Sequence, residues 1–121
     1  MGLLHLDIDP LDTPASEALA FTQSNYRANV QQALQEGRFA EYPLMPSEPI
    51  TIRSTAGRIE GLVIRGSHIN RNGGTGQSHL YVFTRNNYQV RVQLWAPLAE
   101  PVDATEQQIY DLLNRLRLPT G

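Results

Sequence analysis

Apolar residues along the chain follow two rhythms. Leu19, Tyr26, Val30, Ala33 and Leu34 recur at intervals that place them on one stripe of a helix, and so do Ile109, Leu112, Leu113 and Leu116. Thr13-Pro14 reads as the cap and first residue of the first helix, because the N–H that proline lacks would have no helical partner there. Gly37 reads as a left-handed stop. This helix is expected over residues 13–37, its regular part from about 14 to 36. Asp103, with Glu106 three residues on, has the form of a capping box opening a second helix over 103–118, which Pro119 ends. Between the helices the rhythm shortens to two. Ile50–Ser54, Arg58–Ile69, Ser78–Arg85 and Tyr88–Ala96 are rich in β-branched and aromatic residues and are separated by turn formers. Residues 38–49 carry three prolines and predict a connector with at most a short edge strand. Residues 1–12 read as a tail or an edge strand, the strand candidate being Leu3–Ile8.

These elements predict one α+β domain over 1–121: an antiparallel β meander over 50–96, packed against a long N-terminal helix and a C-terminal helix. "STAG" joins the first two strands, the glycine loop "NRNGGTGQ" within Ser67–His79 joins the next two, and Asn86-Asn87 makes a two-residue hairpin turn, because Asn tolerates positive φ. Centring the glycine loop between Gly73 and Gly74 sets Arg65 opposite Val82 and His68 opposite His79. The Asn-Asn turn sets Val82 opposite Arg91. A side-chain period of two then assigns Leu62, Ile64, Tyr81, Phe83, Val90, Val92 and Leu94 to a core face. The other face collects Val63, Arg65, Ser67, Leu80, Val82, Thr84, Gln89, Arg91, Gln93 and Trp95. That mixture of Arg, Trp and apolar side chains suits partner binding, and Arg65, Leu80, Val82, Arg91 and Trp95 are the candidate site. The competing reading lays the long helix across this face, with the arginine stems packed beneath its edge.

Composition narrows the function classes. With 40% hydrophobic and 18% charged residues the chain is too apolar for intrinsic disorder. A formal charge of -2, with no basic stripe carrying interleaved aromatics, argues against nucleic acid. The absence of cysteine removes disulfides, thiolate metal sites and cysteine nucleophiles. No apolar run approaches the ~20 residues of a membrane span. "MGLLHLDIDPLD" shows no targeting signal; the expected compartment is cytoplasmic if the chain is complete and exported if a leader has been removed.

Candidate chemistry is sparse. "NRNGGTGQ" matches neither a phosphate-binding P-loop nor a strand-to-helix dinucleotide fingerprint, and it reads as a hairpin loop. His68 and His79 are cross-strand neighbours in the expected register, but two nitrogens do not make a metal site, and nothing in the spacing requires His5 as a third. Asp7, Asp9 and Asp12 form an acidic run without the calcium-loop pattern. Ser67-His68 and Ser78-His79 are neighbours along a strand and point to opposite faces. No catalytic residue, metal or cofactor is therefore expected, and the chain reads as a non-enzyme.

"GRIEGLVIRG", "SHLYVFTRNNYQVRVQLWAP" and "TEQQIYDLLNRLRL" resemble the bacterial DcrB-like and photosystem PsbP-like superfamily over about residues 13 to 118. That resemblance implies an α/β/α sandwich around an antiparallel sheet and a role without catalysis, as a chaperone, secretion adaptor or accessory subunit. Family members usually open with a strand pair, whereas this chain offers one strand. The partner implied is another protein, or a second copy in a homodimer. The alternative is a small-ligand carrier or enzyme with a pocket between the sheet and the long helix, polar groups coming from Tyr26, Tyr81 and His79.

Overall fold

The computed structural model describes residues 3–54, 57–85 and 87–115. Strand β1 (Leu3–Pro10) precedes helix α1 (Ala15–Gln35); β2 (Phe39–Glu41), β3 (Glu48–Ser54), β4 (Gly57–Asn70), β5 (Thr75–Arg85) and β6 (Tyr88–Ala96) follow, and α2 (Asp103–Arg115) closes the chain. All strand pairs are antiparallel, in the order β1-β6-β5-β4-β2, with β3 also paired to β4. The α+β class and the meander of β3 to β6 are as expected.

Helix α1 starts one residue later than expected. Pro14 is its N-cap, with extended backbone and no side-chain cap bond, so Thr13 does not cap it. Its end is as anticipated. Gly37 adopts φ 75°, its N–H donating to the Leu34 carbonyl while that of Arg38 donates to Ala33, which satisfies carbonyls the helix leaves open. At α2 the capping box does not form. The Glu106 carboxylate accepts hydrogen bonds from Arg65 and Tyr81 across the helix–sheet interface instead. The turn residues Thr55, Ala56 and Asn86, and the expected helix end at Leu116–Pro119, lie outside the described residues.

The connector holds more order than its prolines suggested. Phe39 and Glu41 pair with the end of β4, Leu44 forms a bridge with Gly66, and β3 begins at Glu48. Pro49 is tolerated because β3 lies off the main path of the sheet, paired only to β4. The N-terminal segment is a full edge strand, paired with β6 from Leu3↔Trp95 to Pro10↔Tyr88.

Register settles the faces. Between β5 and β6 it is the expected one, with Val82 opposite Arg91. Between β4 and β5, Arg65 lies opposite His79 rather than Val82, three positions along. The cause is the loop. Gly73 N–H donates to the Asn70 carbonyl at 3.0 Å and Gly73 has φ 90°, the signature of a three-residue hairpin loop with one left-handed glycine, centred on Asn72 and not between Gly73 and Gly74. An odd displacement turns every side chain of β4 over. Val63 joins Ile52, Ile59, Tyr81, Phe83, Val90, Val92 and Leu94 beneath Ile109 and Leu113 of α2. Leu62 and Ile64 join Leu80 and Val82 beneath Leu19 and Tyr26 of α1. One helix thus packs on each face.

Candidate functional site

The five expected partner-binding residues do not share a surface. Arg65 is on the α2 face with the rest of odd-numbered β4, while Leu80, Val82, Arg91 and Trp95 are on the α1 face. Leu80 and Val82 are buried under α1, whose Thr22 hydroxyl also donates to Gln89 Oε1 at 2.8 Å. The long helix therefore covers this face, and of the four candidates on it Arg91 and Trp95 retain partial exposure. Arg91 is engaged by β1, its Nη2 lying 2.7 Å from Asp9 and 3.8 Å from Asp7. This ion pair accounts for two of the three aspartates in the N-terminal acidic run.

The histidines are likewise separated. His68 lies opposite Gly76, on the α1 face, where its ring packs with Phe39 and Tyr42 and its Nδ1 hydrogen-bonds Ser78 Oγ at 3.2 Å. His79 is on the α2 face. The two cannot share a metal, and among the described residues no three His, Asp or Glu side chains converge to hold one. Burial lowers the pKa of both rings; at His79 the Arg65 guanidinium adds to the effect and Glu106 opposes it.

Two features of the α2 face were not anticipated. One is a polar latch. Glu106, from the first turn of α2, accepts from both Arg65 and Tyr81, and Arg65 Nε lies 3.7 Å from Glu48 on β3. Burial disfavours the charged carboxylate, yet the hydrogen bonds from Arg65 and Tyr81 outweigh it and hold the Glu106 pKa below its ordinary value. Burial and the carboxylate together push the Tyr81 hydroxyl well above its ordinary range. Beside them, His79 Nε2 donates to Gln77 Oε1 at 2.8 Å, leaving buried Nδ1 without a partner. Gln77 in turn donates to the carbonyls of Pro97 and Glu100, and Arg85 reaches the Leu113 carbonyl, so α2 is fastened near both ends.

The other feature is an uncovered apolar row. Leu4, Leu6 and Ile8 lie opposite Leu94, Val92 and Val90, on the same face as α2, yet they are 44%, 40% and 38% exposed. The reason is width. A helix is about 10–12 Å across and strands are about 4.8 Å apart, so one helix covers two or three strands. The latch ties α2 to β4 and β5, and β1 is left bare at the sheet's end. Leu112, on the stripe expected to be buried, is 44% exposed. It is about 200° around the helix from Tyr110, whose ring packs into the α2-face core. The alternation Leu4-His5-Leu6-Asp7-Ile8-Asp9 carried this signal in the sequence, since it specifies a strand with one apolar and one polar face.

No helix of the described residues is long and apolar enough to cross a membrane. No family model matches the chain, and neither does any curated protein. Among solved structures it is similar to a protein of unknown function, PA94, from Pseudomonas aeruginosa, at 14% identity and a TM-score of 0.51, over 100% of this chain and 86% of that one. At such identity the likeness is one of fold.

Proposed function

We propose that this chain is a non-enzymatic protein-binding module, a chaperone, secretion adaptor or accessory subunit, that receives an apolar segment of its partner on the α2 side of β1. The observation that carries the reading is the row Leu4, Leu6 and Ile8, each about two-fifths exposed, on a strand at the end of the sheet. An apolar edge strand is a liability in a chain with no use for it, because it invites pairing with other chains. A partner segment laid there extends the buried row of Val90, Val92 and Leu94 and gains main-chain hydrogen bonds along the edge. The resemblance to DcrB-like and PsbP-like proteins, with their sandwich architecture and accessory roles, supports the same reading. The alternative of a pocket built from Tyr26, Tyr81 and His79 loses its support, because Tyr26 packs on the α1 face while Tyr81 and His79 belong to the other.

The test is a fluorescence-anisotropy titration with a labelled leucine-rich amphipathic peptide. Wild-type chain is expected to bind saturably. The Leu6→Ser/Ile8→Ser variant should bind at least about tenfold more weakly, since each lost contact removes about 1 kcal/mol or more of apolar burial. Equal binding by the variant, or none by the wild type, overturns the proposal.

A further inference from the structure

On the α1 face, away from the apolar row, the end of β1, the first turns of α1 and the start of β6 line a half-open cavity of about 520 Å³. Its size is that of a site for a small molecule or a single side chain. Three carboxylates line it, from Asp9, Asp12 and Glu17, against one guanidinium, that of Arg91, which is already tied to Asp9. Phe21, 72% exposed, contributes an aromatic wall that packing within the fold does not require.

A second observation comes from Gln89, which also lines the cavity and is only 5% exposed. Its Oε1 accepts from Thr22, but its amide Nε2 is buried without a partner, as is Nε of the neighbouring Arg91. Leaving a buried N–H unpaired is unfavourable, and it marks where an acceptor is missing. The carboxylates and the ring favour positive charge, while the unpaired donors favour a carbonyl or carboxylate oxygen.

We propose that this cavity binds a small organic cation that also carries a hydrogen-bond acceptor, the chemistry shared by a free basic amino-acid amide and an arginine or lysine residue of a partner chain. The cationic group sits between Asp12 and Glu17 against Phe21. The acceptor oxygen takes the amide N–H of Gln89, which turns toward it and releases the Thr22 hydroxyl.

Isothermal titration of the full chain at low salt tests this with L-arginine amide and with the capped tripeptide acetyl-Ala-Arg-Ala-amide; acetyl-norleucine amide supplies the acceptor without the cation. At least one cationic probe is expected to bind saturably in the millimolar range or tighter, and the norleucine probe not at all. Binding by the amide alone assigns a free small molecule, and binding by the tripeptide assigns a partner's basic residue. The Asp12→Asn/Glu17→Gln variant, altered only at exposed positions, should bind at least about fivefold more weakly. Gln89→Met should bind about threefold more weakly, in line with loss of one hydrogen bond. The Leu6→Ser/Ile8→Ser variant should bind the cation like the wild type, which separates this proposal from the preceding one. Absence of saturable binding, equal binding of the norleucine probe, or unchanged affinity in the carboxylate variant overturns it.

Discussion

The two faces of the sheet are covered in inverse proportion to what they bury. The 21-residue helix α1 lies over a small buried cluster of Leu62, Ile64, Leu80 and Val82, and much of the rest of its face is polar: Gln89, Arg91 and Gln93 from β6, met by Asp9, Asp7 and His5 from β1. The 13-residue helix α2 lies over a cluster that runs through β3 to β6, and the row then continues onto β1 with no cover. The difference teaches where each face spends its specificity. The α1 face is closed by length and polar contacts, and keeps a cavity with unpaired donors. The α2 face is closed by a short helix fastened through Glu106, and keeps an apolar margin.

Truncations should separate the faces most sharply. Phe83→Ala, in the α2-face core, is expected to cost about 3–5 kcal/mol in urea-unfolding free energy, and Leu80→Ala, under α1, about 2–4 kcal/mol. If Leu80→Ala were the more costly, the α1 cluster would be the principal core and the comparison would reverse. Next comes the latch. Glu106→Ala strands the Arg65 guanidinium and the Tyr81 hydroxyl and should cost about 1–3 kcal/mol, since Arg65 keeps some solvent. Glu106→Gln, which keeps an acceptor, should cost less, and equal losses would mean that the neutral acceptor contributes nothing and the charge carries the latch.

Acidification should act on the same fastening. Glu106 has a lowered pKa in the fold, so its contribution is present above its unfolded value and is lost as pH falls through the folded one. His79 is also lowered: the folded state holds it neutral, and stability falls as pH drops below its unfolded value of about 6.5. Both signs agree. The urea midpoint should therefore decline between pH 7 and pH 5, in the histidine window, and again more steeply below about pH 4.5 as Glu106 protonates. His79→Gln should flatten the first decline in part, leaving the share due to His68, whose pKa is lowered by burial as well. A first decline unchanged in His79→Gln would show that His79 titrates without linkage to folding. Smallest per residue is Leu6→Ser/Ile8→Ser, about 1 kcal/mol for each side chain, because both are already partly in water. A larger loss would mean that the margin belongs to the core.

Much of the architecture was legible because its physical causes are local. Gly37 ends α1 since the left-handed conformation there disfavours a side chain, and Asn87, at φ 66°, makes the β5–β6 turn for a related reason. Register between those strands follows from that short turn, and the alternation along β1 marks one face as apolar whether or not anything covers it. The candidate site was less legible. Of its five residues Arg65 depended on the register of β4, where Leu62, Val63 and Ile64 are apolar in succession, so the strand carries no alternation to say which side faces which helix. Both Asn72-Gly73 and Gly73-Gly74 are competent turn formers, and a loop one residue longer or shorter reverses the answer.

By itself, then, the sequence determined the class of the fold, most of its elements, the polar and apolar sides of β1 and the pairing of β5 with β6, all of which follow from periodicity and from backbone preferences within a few residues. Only the tertiary structure decided which way β4 is turned, that Glu106 fastens α2 to the sheet instead of capping it, and that β1 is left outside the cover of α2. Those outcomes depend on volume and distance between segments far apart in the chain: two helices of unequal length must share a sheet wider than either, and a carboxylate goes to the partners that burial brings nearest.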